Sequence, residues 1–241
     1  MWNLQTISSI ALNKDTTYLI EKGSFPKLRN LGLHISSNFK GDVPKMLLTL
    51  QYLRHLNKLE ICFETKGWPH CRWEINYKPV EVLQILKHLR YLSILKIGNA
   101  LNLSSCAAMF PPNITKLTLS DITCMNDDVM KAIGNLTKLQ ILILTGASWL
   151  SLHRSPNSFF DLNCVEDGFP QLQKFQMSNF PIQNWKLANG SMPRLQIVII
   201  NDCDKLDGLP SELWSLTTLR KVCVTAPSIA MAAIVENWED M

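Results

Sequence analysis

The sequence has no apolar run that reaches the roughly 18 to 20 residues of a membrane-spanning helix. Residues 1–6 lack the basic stretch followed by an apolar stretch that marks a secretory signal. Charged residues make up only 18% of the 241 residues, and the net charge of +4 is too mild to predict nucleic-acid binding. These absences argue against a membrane-spanning, secreted or nucleic-acid-binding protein, whereas the 46% of hydrophobic residues predicts a globular chain with a large core.

The sequence also lacks the residue patterns of a catalytic or metal site. No Cys-x-x-Cys pair, His-x-x-x-His pair or Gly-x-Ser-x-Gly elbow occurs. His70 and Cys71, taken with Cys62 and His55, match no zinc spacing. We therefore expect no enzyme and no metal, and the odd, scattered cysteines predict reduced, structural thiols in the cytosol. The cysteines are Cys62, Cys71, Cys106, Cys124, Cys164, Cys203 and Cys223.

What the chain does contain is a repeated pattern, Leu-x-x-Leu-x-Leu, with another apolar residue allowed at each of the three positions. Eight clear copies start at residues 28, 56, 92, 114, 139, 172, 195 and 219, at intervals of 22 to 36 residues. Ile7, Ile10 and Leu12 form a weaker first copy. Several intervals fall within the 20 to 29 residues of leucine-rich repeats.

The uneven spacing of this pattern has a physical reason. The last two apolar residues alternate with polar ones, as on a half-buried strand, and the first anchors the turn into that strand. In the copy at 195, Cys203 turns the chain out of the strand, and Leu206 and Leu209 fill the returning side. One repeat cannot bury its own apolar face, so the repeats stack and share a core.

The predicted fold class is therefore α/β. It is a horseshoe-shaped leucine-rich-repeat solenoid, with parallel strands on the concave face and irregular helices and loops on the convex face. Residues 1–241 form a single domain of about eight to nine irregular repeats. No cap is visible before the first copy, so we expect the chain to be a fragment that lacks an N-terminal cap.

The segments between the strands predict the convex side. Apolar spacing predicts helices at 79–92 and 42–56, and paired aspartates predict a helix start at Asp127. Residues 64–77 and 146–168 are expected to be loops. A short helix from Ser228 is expected to cover the open C-terminal end of the core.

Several stretches of this chain resemble a known family. They are "FPKLRNLGL", "FPQLQKFQM", "GNLTKLQILIL", "APSIAMAAIV" and, most specifically, residues 192–224, "MPRLQIVIINDCDKLDGLPSELWSLTTLRKVCV". They are similar to the C-terminal leucine-rich region of plant intracellular nucleotide-binding leucine-rich-repeat disease-resistance proteins of the coiled-coil type. The resemblance covers essentially the whole chain.

The resemblance implies a role but no individual binding residue. The family carries a signalling domain and an ATP/ADP-switched module before the repeats, and this chain has no Gly-x-x-x-x-Gly-Lys-Ser/Thr phosphate loop. It therefore implies no cofactor in this chain, since ATP or ADP would bind the missing upstream module. It implies cytoplasmic recognition of a pathogen effector or guarded host protein, and contact with the receptor's own nucleotide-binding module to hold the switch off.

Strand geometry predicts where a protein partner would bind. Residues that flank the two buried positions of each strand point away from the core, onto the concave face. Lysines recur there with apolar isoleucines, so the face is either an ordinary solvated surface or a basic, partly apolar groove for an acidic partner. The candidate binding residues are Lys58, Glu60, Lys96, Lys116, Thr118, Ile141, Ile143, Lys174, Gln176, Ile197, Ile199 and Lys221.

Two other functions remain open at this point. A leucine-rich-repeat substrate adaptor of a ubiquitin ligase also uses cysteine after its strands, as Cys124 stands here. A secreted leucine-rich-repeat binding protein is favoured weakly by the glycosylation sequons. Against the secreted class stand the odd cysteine count and the irregular repeats. The sequons lie at Asn102, Asn113, Asn135 and Asn189.

Overall fold

A computed structural model describes residues 3–64, 79–99, 101–102, 110–147, 160–180 and 182–226. Most of its regular structure is short strands separated by turns and short helices. The strands are β1 (Thr6–Ala11), β2 (Asn30–Ile35), β3 (Lys58–Phe63), β4 (Ile94–Gly98), β5 (Leu101–Asn102), β6 (Lys116–Cys124), β7 (Ile141–Gly146), β8 (Phe160–Cys164), β9 (Lys174–Ser178), β10 (Ile182–Leu187), β11 (Ile197–Asn201) and β12 (Lys221–Thr225).

One long parallel sheet organises the molecule. In the described part of the chain nine strands follow one another in the order β1-β2-β3-β4-β6-β7-β9-β11-β12, and β5 pairs with β6 beside this path. Each predicted copy of the repeat supplies one of the nine strands, and equivalent motif positions lie opposite each other, as Leu117 does to Leu142. The predicted fold, a leucine-rich-repeat solenoid with its strands on the concave face, is confirmed.

The inward strand residues belong to one hydrophobic core that joins the described repeats. Leu59, Leu95, Leu117, Leu142 and Phe175 are each 0% exposed, and the core continues without a break from β1 to the last turns. Every repeat thus covers the apolar face of its neighbours, and burial of this kind contributes about 25 cal/mol per Å² of apolar surface.

A turn with positive φ ends several of the strands. Asn99, Asn179 and Asp202 have φ between 49° and 54°, and each stands two residues after the last buried residue of its strand. Asn and Asp tolerate this left-handed conformation better than most residues. The turn sends the chain back across the core, and Cys203 and Leu206 are buried immediately after it, as the sequence predicts. Leu209 is partly buried against the core.

Short helices cover the other side of the core. They are α1 (Lys14–Glu21), α2 (Val43–Leu47), α3 (Pro79–Leu86) and α4 (Asp127–Gly134), with 3-10 helices at Leu48–Tyr52 and Ser211–Ser215. The helix predicted at 42–56 is broken into α2 and a 3-10 turn, with Asp42 accepting the Lys45 N–H as its cap. The helix predicted from Pro79 is present but ends at Leu86.

The loop predicted at 146–168 is wrong over its last part. β8 lies within it and pairs in parallel with β10 to form a separate two-stranded sheet. Trp185 of β10 packs its ring against Phe175 of β9 at 5.2 Å between centroids, so this small sheet lies across the core from the main sheet. Leu162 and Cys164 are buried at alternate positions of β8, and this alternation is the signal in the sequence that could have predicted the strand.

The first, weaker copy of the repeat begins at Leu4 and not, as predicted, at Ile7. Ile7 pairs with Leu31 and Ile10 with Leu33, with an irregularity between them, so Ile7 is a strand position and not the anchor before the strand. Leu4 packs against the core at the anchor position. Residues 65–77 of the loop predicted at 64–77, and the tail predicted from Ser228, lie outside the described residues.

We predict that substituting an inward residue of a strand lowers the free energy of unfolding much more than substituting an outward residue of the same strand. Leu142→Ala removes a side chain that is 0% exposed, so it should lower the free energy of unfolding by about 2–5 kcal/mol. Ile143→Ala, on the opposite face of the same strand, should cost about 1 kcal/mol or less. Urea unfolding followed by circular dichroism measures both, and equal losses would contradict the shared-core account.

Candidate functional site

The face of the main sheet that points away from the core carries three rows of side chains, one residue per strand. We call them the first, second and third rows, in order from the amino to the carboxyl ends of the strands. In β3, β4, β7, β9 and β11 these residues are half-buried and alternate with buried residues of the core face. The first row from β2 to β12 is Asn30, Lys58, Ile94, Lys116, Ile141, Lys174, Ile197 and Lys221. The second row is Gly32, Glu60, Lys96, Thr118, Ile143, Gln176, Ile199 and Cys223.

All the candidate residues of the sequence analysis lie in the first and second rows. The strand register places them side by side, so they form one continuous surface across β3 to β12. Ile94 belongs to this surface too, between Lys58 and Lys116, although we did not include it among the candidates. Its place follows from the pairing of β3, β4 and β6.

The first row alternates lysine and isoleucine from β3 to β12. Neighbouring strands are about 4.8 Å apart, so successive lysines are about 9.6 Å apart. Two unit charges at that distance repel by only about 0.4 kcal/mol in water, before screening by salt. The isoleucines therefore lie between the lysines and offer an apolar surface to the aliphatic part of each lysine side chain. Lys58, Lys116 and Lys174 are half-buried, whereas Lys221 on the last strand is exposed.

The second row contains the one acidic residue among the candidates. Glu60 Oε1 lies 2.6 Å from Lys96 Nζ on the next strand. Both side chains remain a third or more exposed, so this pair contributes about 0–1 kcal/mol to stability. Lys96 is thus partly neutralised, and among the described residues no ion pair involves the first-row lysines. The net positive charge of the face comes chiefly from the first row.

Isoleucines of β7 and β11 form an apolar patch around β9. Ile141 and Ile143 lie on one side of Lys174 and Gln176, and Ile197 and Ile199 lie on the other side. All six residues are half-buried. A cation therefore stands between two pairs of apolar side chains, an arrangement that suits an acidic group surrounded by apolar contacts on a partner. We call these six residues the isoleucine patch.

The third row is polar and is tied together by hydrogen bonds at the C-terminal end of the sheet. Thr225 Oγ1 donates to Asn201 Oδ1 at 2.7 Å, and Asn201 Nδ2 donates to Ser178 Oγ at 3.4 Å. At the other end Cys62 lies between His34 and Gly98. Burial raises the pKa of the Cys62 thiol, and Lys96 partly offsets this by favouring the thiolate.

The side chains rejected as metal ligands form no site in the described part of the chain. No group of three His, Cys, Asp or Glu residues there could hold a metal ion. His70 and Cys71 lie outside the described ranges. Cys164 is buried, and desolvation raises the pKa of its thiol to about 12, so it is not a nucleophile at neutral pH.

One of the sequons is already committed to structural hydrogen bonds. Asn113 Nδ2 donates to the carbonyl of Arg90 at 2.7 Å, and its Oδ1 accepts from Lys138 Nζ at 2.7 Å. A glycan on this nitrogen would compete with the link between neighbouring repeats. Among the described residues, no helix is both long and apolar enough to cross a membrane.

Comparison with known proteins agrees with this architecture. The family model described as leucine-rich repeat region matches residues 1–241. The chain is 28% identical over 200 residues to disease resistance protein RPP8 and to disease resistance protein RPH8A, both of Arabidopsis thaliana; each match covers 81% of this chain and 20% of the relative. Disease resistance RPP8-like protein 3 of the same plant is 27% identical over 198 residues, with the same coverage. The chain spans about a fifth of the length of these relatives.

We predict that the charge of the second row reaches the Cys62 thiol. Lys96→Glu removes the cation that favours the thiolate and adds an anion, so the pKa of Cys62 should rise further. Alkylation of Cys62 at a fixed pH near 8, measured site by site by mass spectrometry, should become slower, and its rate profile should move to higher pH. Lys174→Glu, about 19 Å away across four strands, is the matched control. Identical rate profiles for wild type and Lys96→Glu would show that Lys96 does not affect the pKa of the Cys62 thiol.

Proposed function

The chain belongs to the leucine-rich repeat region family and matches part of plant disease resistance proteins, and we propose that it is the recognition and autoinhibitory module of a cytoplasmic plant immune receptor. The relatives' names support the defence role. The first and second rows support a protein partner, because they offer a continuous surface rather than a cavity with reactive groups. In this proposal the partner is a pathogen effector or a guarded host protein.

The observation that carries the binding site is the alternation of lysine and isoleucine along the first row. Such a surface attracts an acidic partner over a distance and then offers it apolar contact once it has docked. The isoleucine patch is the centre of the site, because there the apolar side chains lie on both sides of a lysine. The charged surface extends around this patch through Lys58, the pair of Lys96 and Glu60, Lys116 with Thr118, and Lys221.

The energetics of a switch set the number of contacts that the site must supply. Shifting a receptor from about 1:99 to 99:1 in favour of its active state takes roughly 5.5 kcal/mol of differential binding. An interface hot spot is worth about 2 kcal/mol or more. Three or so well-placed contacts on this face are therefore enough. The same face can hold the switch off if the receptor's own nucleotide-binding module contacts it in the resting state.

We predict that charge reversal on the first row greatly weakens partner binding. Tagged chain expressed in leaf tissue is compared with Lys116→Glu/Lys174→Glu by proximity labelling, followed by binding measurements with the recovered protein at several salt concentrations. The double variant should lose most of the binding, and the dependence on salt should weaken because two cations are gone.

The matched control carries the same charge change away from the concave face. Lys14 and Lys40 are exposed and lie outside the rows, so Lys14→Glu/Lys40→Glu should keep wild-type affinity and salt dependence. If both double variants bind alike, the concave face is not the recognition surface. If neither salt nor Ile143→Ala affects affinity, the basic and apolar character of the site is irrelevant to its function.

A further inference from the structure

A further basic surface lies at the edge of the main sheet where the strands begin. In each of the eight clear copies, the two residues before the anchor stand at this edge, ahead of the strand. These positions carry five lysines or arginines and no aspartate or glutamate, although the whole chain has 24 Lys and Arg against 20 Asp and Glu. All five cations are exposed, and we call them the basic edge: Lys27, Arg54, Arg90, Lys138 and Arg194.

The charge of the basic edge is not cancelled by neighbouring carboxylates. Strands about 4.8 Å apart place its members along about 29 Å, from Lys27 before β2 to Arg194 before β11. Asp167 and Glu60 are the nearest acidic residues along the chain, five residues before and four residues after the anchors of their copies. Among the described residues, no ion pair involves the basic edge. It therefore carries a line of positive potential.

Neutral amides of the preceding repeat orient three of these cations. Lys138 Nζ donates to Asn113 Oδ1 at 2.7 Å. Arg194 Nη1 donates to Gln171 Oε1 at 2.8 Å, and Lys27 donates in the same way to the repeat before it. Because an amide oxygen is uncharged, each bond holds the cation in place and leaves its charge available to an anionic partner.

The two arginines of adjacent repeats share a small pocket. Arg54 and Arg90 each stand two residues before the anchors of β3 and β4, and both line a pocket of about 130 Å³ with Gln51, His88 and Tyr91. Buried leucines complete the lining, which contains no carboxylate. A guanidinium presents a planar fork of N–H donors that matches phosphate oxygens. The pocket therefore suits a phosphate group.

Exposed tyrosines beside this pocket favour one kind of phosphate-rich partner. Tyr91 is 72% exposed, and Tyr52, two residues before Arg54, is 55% exposed. Tyrosine is enriched at membrane–water interfaces because its ring is apolar and its hydroxyl is polar. A flat surface can meet the residues along one edge of the stack together, whereas the net charge of +4 is too mild to favour nucleic acid.

We propose that the basic edge binds the surface of an anionic membrane, with a lipid phosphate in the pocket between Arg54 and Arg90. The cytoplasmic leaflet has the negative surface potential that attracts such residues. The first and second rows lie on the concave face and not along this edge, so a membrane-bound chain keeps them open to a protein partner. The proposal is independent of the recognition function proposed above.

Flotation of the full chain with lipid vesicles tests the proposal. Vesicles of phosphatidylcholine with about 30% phosphatidylserine should bind it about tenfold or more tightly than phosphatidylcholine alone, and salt should weaken the binding. Arg54→Glu/Arg90→Glu should lower this affinity by about tenfold or more. Lys14→Glu/Lys40→Glu makes the same charge change on exposed residues away from the edge, and it should keep the affinity within about threefold.

A second pair of substitutions tests whether the edge acts as a whole. Lys138→Glu/Arg194→Glu, far from the pocket, should also weaken vesicle binding, and unchanged binding would overturn the membrane surface in favour of an isolated phosphate site. Both edge variants should keep the circular-dichroism spectrum of the wild type, because the substituted side chains are exposed.

Three further outcomes would overturn the proposal. The first is equal binding of the wild type to neutral and anionic vesicles. The second is binding to duplex DNA that Arg54→Glu/Arg90→Glu abolishes, without binding to vesicles, which would favour nucleic acid. The third is binding to polyglutamate without binding to vesicles, which would favour an acidic protein. Lys116→Glu/Lys174→Glu, on the concave face, should keep vesicle binding, so the two proposals fail separately.

Discussion

The structure depends on the fact that no single repeat can bury its own apolar face. A strand of five or six residues with one anchor leucine has too little surface to offset its conformational entropy, which costs about 1–2 kcal/mol per residue for the backbone alone. Stacking solves this, because Leu117 is covered by Leu95 and Leu142 of the neighbouring strands. Stability therefore arises between repeats, and the two ends of the stack are the places where it is incomplete.

The same constraint creates the surface that we propose as the binding site. A parallel sheet in exact register places equivalent residues of successive repeats in straight rows, so a lysine at one position becomes part of a charged line. Because the inward positions must stay apolar, sequence variation is free only at the outward ones. The Lys–Ile alternation of the first row, the Glu60–Lys96 pair and the isoleucine patch all lie there.

The strands and their inward residues could be predicted from the sequence because a rigid spacing repeats throughout the chain. β8 was missed, because its alternation of Leu162 and Cys164 is short and its partner β10, which packs on Phe175 across the core, lies outside the repeated pattern. The first copy was predicted to begin at Ile7 instead of Leu4, because an irregular pairing shifts Ile10 relative to Ile7. The candidate site residues were found from the alternation along each strand alone. Which of them are neighbours on adjacent strands follows only from the register of the sheet. The register places Ile94 between Lys58 and Lys116 and brings Lys96 beside Glu60.

The central functional claim is that this repeat stack serves as the recognition arm of a larger receptor. The most direct measurement is the size of the native protein, by immunoblot of its source tissue with an antibody against residues 146–168. The account predicts a band several times larger than the 27.4 kDa of this chain, since the chain spans about a fifth of its relatives. A band at 27.4 kDa would contradict autoinhibition within one receptor and would leave a free repeat protein that binds its partner alone.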